Sequence, residues 1–257
     1  MTFVRHICLP MVLAIGYMPA CSSLPIDAVR LGPATLSQNL VAHWRFDEGT
    51  GSVVTDTSGN RRDGTLTGGT WLSDGPFGGA LRLGDGEFVT VSQFPDATSN
   101  YSVSAWVRIS SYSQDTSDTG QWGTVISNEL GSTGGWELNI DHRQVSPVLN
   151  FAFWKGPNTG DFDYVACDCL PLGRWTHVVA IVESATATLT LYVDGNLRAT
   201  SNFARGILPG SSALHMGTWA EQGRYLLGDV DDIAIWNRAL VSDEMASITA
   251  SAVPDPG

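Results

Sequence analysis

Lysine is nearly missing from this sequence. Lys155 is the only one, and 14 Lys and Arg stand against 26 Asp and Glu, a net charge of -12 over 257 residues. Nucleic acid is therefore excluded as an expected partner, because phosphate contacts need clustered cations. Charge of either sign is sparse at 16%. Long helical periodicity is also missing, which rules out a parallel βαβ architecture. No internal repeat of fixed period is present, which argues against a propeller or solenoid. Catalytic signatures are lacking as well: there is no Gly-x-Ser-x-Gly elbow, no His-Glu-x-x-His, no glycine-rich phosphate loop and no Glu-x-Asp-x-x-Glu. The last pattern would set an acid and a nucleophile on one face of a strand. The nearest approach, Glu137, Asn139 and Asp141 in "ELNID", lacks the middle carboxylate and the second glutamate. His142 lies beside Asp141, but no nucleophile can be named to pair with it.

What is abundant points the other way. Gly reaches 28 and Trp reaches 9, a composition suited to short strands and tight turns. Leu40, Ala42, Trp44 and Phe46 alternate with Val41, His43 and Arg45, as a half-buried strand requires. Val103, Ala105, Val107 and Ile109 repeat the pattern, and further runs cover 148–154, 175–183, 187–193, 213–219 and 225–236. Asp194-Gly195 between two such runs predicts a hairpin turn. Only 242–248 reads as helix, with Ser242 as its cap and Asp243 and Glu244 in its first turn. The expected fold is all-β: two antiparallel sheets packed face to face, a sandwich or jelly roll of about ten to fourteen strands, with one short C-terminal helix. In "GDVDDIAIWNRAL", strict alternation places Asp229 and Asp231 on one face with Ile233 and Ile235, and Asp232 opposite. A buried carboxylate there needs backbone donors, an arginine or a metal ion.

The N-terminus reads as an export signal. Arg5 precedes an apolar run, 7–17, that is too short to span a bilayer, and Met18-Pro19-Ala20-Cys21 follows. Residues 1–20 are the expected signal peptide, and the Ala20-Cys21 junction resembles a bacterial lipobox. Lipidation of Cys21 is favoured over ordinary cleavage nearby, which would leave an unpaired thiol in an exported chain. Membrane contact is expected only through that anchor, at the outer membrane or cell surface; without lipidation the chain would be periplasmic or secreted. Residues 21–39 form the expected tether, 40–249 the folded domain and 250–257 a disordered tail. Cys167 and Cys169, one residue apart, are expected to form a small local disulfide within a turn.

Seven motifs in order carry a resemblance: "LVAHWRFDEGTG", "DTSGNRRDGTLTGG", "FGGALRLGDGEFVTV", "YSVSAWVRI", "GRWTHVVAIV", "LTLYVDGNL" and "LLGDVDDIAIWNRALVSDEMASI". Together they resemble a laminin-G-like jelly-roll domain of the concanavalin A-like lectin/glucanase superfamily, from about Leu40 to Thr249. The resemblance implies a binding or adhesion module, often with calcium. Carried over, it places the ion at Asp56, Asn60 and Asp231, with Asp47 and Asp229 as weaker candidates. The competing reading is that Asp56 and Asn60 brace a turn and that Asp231 is met by backbone donors or an arginine. Trp44, Trp106, Trp175 and Trp236 lie within the motifs and read as packing. Trp122, Trp154 and Trp219 lie outside them and are the candidate ligand contacts, since sugar recognition sets an aromatic face under the ring. The expected function is noncatalytic recognition of carbohydrate or a glycosylated surface. A protein-adhesion or structural module and a divergent glycan hydrolase or lyase are the alternatives.

Overall fold

The computed structural model describes residues 36–95, 99–111, 122–129, 134–143, 147–156, 160–204, 208–221 and 223–254. The signal segment, Cys21, most of the tether and residues 255–257 lie outside the described residues. The described strands are numbered β1 to β16 in chain order. One sheet runs β14 (Asn196–Asn202), β13 (Thr188–Val193), β12 (Thr176–Glu183), β7 (Tyr101–Ile109), β16 (Gly228–Trp236), β5 (Gly78–Leu83) and β4 (Thr70–Gly75). β1 (Leu40–Trp44) also pairs with β16, beyond β5 along the same edge. The second sheet runs β11 (Phe162–Cys167), β10 (Val148–Trp154), β9 (Trp136–Asp141), β8 (Trp122–Ser127), β15 (Leu214–Met216), β6 (Phe88–Val91), β3 (Gly64–Thr67) and β2 (Val53–Val54). All pairings between these strands are antiparallel. Sixteen strands exceed the ten to fourteen expected, because pieces as short as β2 and β15 carry too few residues to display a period.

The core lies between the sheets. Val103, Ala105, Val107 and Ile109 of β7 meet Trp136, Leu138 and Ile140 of β9 and Phe151 and Phe153 of β10 in one buried cluster. Each large side chain removed from water there contributes about 1.5–3 kcal/mol. At the β13–β14 hairpin Asp194 and Gly195 both take positive φ, 49° and 72°, as the expected turn requires.

β16 resolves its three aspartates with a bulge. Its register against β7 slips between Asp231 and Ala234, where Asp232 adopts φ 45°. The extra residue breaks the strict alternation read from sequence. Val230, Ile233 and Ile235 all enter the inter-sheet core, while Asp229 and Asp231 face outward. Asp229 is fully buried between the guanidiniums of Arg82 and Arg108, its cross-strand neighbours, at 2.7 and 2.6 Å. The bulged Asp232 accepts from His43 Nε2 at 2.7 Å and from the Val253 backbone N–H at 3.1 Å.

A second, smaller core covers the outer face of the first sheet. There α1 (Ser242–Ala250) lays Met245 and Ile248 on Val179, Ile181, Ala234 and Trp236. Leu36 and Val253 join this cluster, and the Leu36 carbonyl accepts from Trp236 Nε1 at 2.7 Å. The domain therefore extends past both expected boundaries: the end of the tether and the start of the tail are packed. The helix cap also differs from expectation. Ser242 is the first helical residue, and the cap position is Val241, whose N–H is accepted by Glu244 Oε2 at 3.0 Å.

Cys167 and Cys169 form a disulfide, with their Cα atoms 5.4 Å apart. It closes so small a loop that it removes little unfolded-state entropy, on the order of 1–2 kcal/mol. Replacing both by serine is accordingly expected to lower the melting temperature by only a few degrees in a thermal scan; a loss above 15 °C would contradict this.

Candidate binding site

The outer face of the second sheet carries polar residues where alternation sets the core residues inward. Glu137, Asn139 and Asp141 project from β9, Asn150, Ala152 and Trp154 from β10, and Phe162 and Tyr164 from β11, while Trp136, Leu138, Ile140, Leu149, Phe151, Phe153 and Val165 between them lie in the core. Residues 217–221 and 223–226 lie against β8: the Thr124 N–H is accepted by the Arg224 carbonyl at 2.8 Å, and the Leu226 N–H by the Gly217 carbonyl at 3.0 Å. This brings the three tryptophans singled out from sequence around one group of charges. The Arg224 guanidinium stacks 4.4 Å from the Trp219 ring and 5.3 Å from the Trp122 ring. The same arginine donates to Glu137 at 3.1 Å. Glu137 is hydrogen-bonded to Glu129, and Trp154 donates to Glu129. Arg143 stacks on Trp122 at 4.4 Å and pairs with Asp141 at 2.7 Å.

Burial, the charge of Glu137 and the hydrogen bond with it push the Glu129 carboxyl up to about 8. At neutral pH Glu129 therefore keeps its proton. Burial opposes ionisation of Asp141 too, but there the hydrogen bonds and charge of Arg143 prevail and hold it below the usual carboxylate range. Several polar atoms on this face are left over. Asn139 Oδ1, His215 Nδ1, Trp219 Nε1 and Arg224 Nε are buried without a hydrogen-bond partner among the described residues. Asn139 and His215 are only 3% and 6% exposed. Unpaired buried polar atoms cost on the order of 1–3 kcal/mol each, so this cluster needs partners from water or from a bound ligand.

The aspartates behave differently. Asp56 spends its oxygens on the backbone N–H groups of His43, Ser58 and Arg62, at 2.9–3.0 Å. Asn60 turns its amide N–H groups, not its oxygen, toward the Leu40 and Val41 carbonyls. Both brace the turn, as the competing reading of this pair has it. Asp231 instead accepts from the backbone of Asp232 at 2.7 Å and of Phe77 at 3.3 Å. Burial, then the charges of Asp232 and Asp47, raise it to about 7. A Cβ on Gly75 would lie 2.9 Å from Asp231 Oδ2, and one on Gly78, at φ 138°, would lie 2.4 Å from Asp47 Oδ1. Asp231 and Asp47 thus share a cradle at the β4–β5 turn that only glycines leave open. Among the described residues no group of three or more His, Cys, Asp or Glu is arranged to hold a metal ion.

Of the motif tryptophans, Trp44 and Trp236 are fully buried. Trp106 and Trp175 are not in either core. They lie half-buried at the first sheet's outer face, Trp106 stacked on His177 at 5.1 Å and Trp175 under Arg108 at 4.8 Å. His177 itself is held by Ser104 and by Thr249 of α1, each at 2.8 Å, and burial lowers it to about 4. It is a neutral fastener between sheet and helix, in line with its reading as a structural residue. Sequence reasoning did not single out Arg224, Glu129, Phe162 or Tyr164. The alternation in "ELNID" was a usable signal for Glu137 and Asn139, whereas nothing local marks Arg224.

A two-sheet antiparallel sandwich defines the class as a jelly-roll domain. Residues 83–246 match the Laminin_G_3 family, described as the concanavalin A-like lectin/glucanases superfamily, and the chain belongs to that family. Among curated proteins none matches. Several solved structures share the fold. The binding domain of botulinum neurotoxin serotype D aligns with a TM-score of 0.64 at 15% identity, over 84% of this chain and 52% of its own. The binding domain of botulinum neurotoxin DC, solved with rat synaptotagmin II, gives 0.64 at 16%, over 84% and 52%. Domain 4 of AbnA, an extracellular arabinanase from Geobacillus stearothermophilus in complex with arabinotriose, gives 0.63 at 20%, over 82% of this chain and 98% of that domain. The chain spans about half the length of the neurotoxin binding domains.

Proposed function

We propose that this is an exported, noncatalytic binding domain that recognises carbohydrate or a glycosylated surface through the outer face of its second sheet. The observation that carries the reading is the gathering of Trp122, Trp154 and Trp219 around Glu129, Glu137 and Arg224, beside unpaired buried donors and acceptors. Sugar hydroxyls both donate and accept, and so can serve the Asn139 acceptor and the Trp219 and Arg224 donors together. The arabinotriose complex of the AbnA domain supports a sugar ligand on this architecture. The synaptotagmin complex of the neurotoxin binding domain is the corresponding support for a protein partner. The buried orphaned groups favour the former. Hydrolysis is disfavoured because the sequence has no Glu-x-Asp-x-x-Glu pattern to set an acid and a nucleophile on one face of a strand.

Screening the full chain on a glycan array tests this. Arg224→Ala, which removes the guanidinium shared by Trp122, Trp219 and Glu137, is expected to weaken the leading glycan at least about tenfold with the fold retained by circular dichroism. Unaltered binding, or release of reducing ends from polysaccharides by the wild type, would count against it.

Export through residues 1–20 and lipidation at Cys21 belong to the same proposal, since a tethered sugar-binding module needs a surface to work from. A structural calcium ion is proposed at the cradle of Asp231 and Asp47 in place of the turn at Asp56. A cation there would relieve the crowding of negative charge that holds the Asp231 proton.

A further inference from the structure

We infer that the site takes an extended chain of neutral sugars, a trisaccharide or longer, with an aromatic ridge on β10 and β11 carrying the units beyond the buried polar pocket. The inference rests on the carbohydrate reading above and adds length, charge and new residues to it. Trp154 and Phe162 are directly opposite across β10 and β11, their rings edge to face at 5.3 Å. Phe162 continues to Tyr164, two residues along β11, at 5.8 Å. β11 is the edge strand of its sheet, and Phe162 and Tyr164 are 38% and 52% exposed. A large aromatic exposed on the solvent face of an edge strand has no packing role there, and three in contact make a continuous stacking surface.

The ridge joins the pocket without a break. Trp154 donates to Glu129 at the pocket's rim. Tyr164 pairs with Ala152, and Ala152 with Glu137, so a methyl group lies between the tyrosine and the carboxylate and leaves a furrow across the strands. Glu137 pairs in turn with Ser127, and Ser127 with His215 of β15. From β11 to β15 is four strand spacings, about 19 Å, longer than one hexose. The occupant's charge follows from the ion pairs. Arg224 is committed to Glu137 at 3.1 Å, Arg143 to Asp141 at 2.7 Å and Lys155 to Asp163 at 2.6 Å. Among the described residues these cations are already neutralised, and an acidic sugar would meet the surplus of carboxylates.

Isothermal titration of the full chain with arabino-, xylo- and cello-oligosaccharides of one to six units, and with oligogalacturonates, reads this directly. At least one neutral series is expected to gain about tenfold or more in affinity between one and three units. Tyr164→Ala and Phe162→Ala, both at exposed positions, are expected to erase that gain without changing the affinity for the single unit. Trp219→Phe, which deletes the indole N–H, is expected to weaken every length alike. A neutral series that binds with no dependence on length, or oligogalacturonates that bind tighter, would overturn the extended neutral site and leave the carbohydrate reading standing. Failure of every saccharide to bind would overturn both.

Discussion

Replacing Asp232 by valine is expected to cost about 4 kcal/mol and to lower the melting temperature by roughly 8–16 °C. Three effects add. The His43 Nε2 and the Val253 N–H both lose the carboxylate that receives them at 2.7 and 3.1 Å in a fully buried setting. Residue 232 has φ 45°, a conformation that aspartate tolerates and a β-branched side chain does not. His43 also holds the turn after β1, through Thr57 Oγ1 at 2.8 Å, so the damage spreads from β16 to the Asp56 turn. Asp232→Asn keeps the shape and the φ tolerance and should cost only about 1–2 kcal/mol. Thermal scans give the two melting temperatures, and hydrogen exchange at the Val253 amide gives the local effect. A valine variant melting within 2 °C of the parent would show that the bulge is held by other means.

Asp231→Asn is expected to act in the opposite direction. In the folded chain Asp231 ionises only near pH 7, against about 4 when unfolded. Between those values the folded state binds the extra proton, so the stability it confers is full below about pH 4, falls as pH rises through 7 and stays lost above. Asparagine never carries the charge. In chelator at pH 8 the variant should therefore be more stable than the parent by about 2 kcal/mol, roughly 4–8 °C, and at pH 4 the two should coincide. If calcium binds at Asp231 and Asp47, the parent gains melting temperature with added calcium at pH 8 and the variant loses that gain. Coincident melting curves at pH 8 in chelator would refute the buried-charge account. A parent indifferent to calcium would refute the ion alone.

The fold was legible in the sequence because strand alternation and turn chemistry are local. The run over 148–154 and the Asp194-Gly195 turn stand where the residues put them, and the run expected over 187–193 begins one residue later, at Thr188. β16 shows where such reading stops. One residue at φ 45° shifts the facing of everything after it, and no local signal in "DVDD" announces which aspartate bulges. The site was half legible. Trp122, Trp154 and Trp219 could be sorted from the motif tryptophans, but their meeting depends on Arg224, which reaches them from the 217–226 segment, far from β8 and β10 in sequence. Phe162 and Tyr164 carry no such local sign: pairing with β10 is what makes 162–167 a strand.

Leu36 and Val253 lie in one small apolar cluster, both fastened to the last strand. Entry into the domain and departure from it therefore happen at a single doorway on the side of the sandwich opposite the second sheet. Such a unit can be grafted whole into a larger polypeptide, or hung from one, with the graft points behind it and the outer face of the second sheet pointing away.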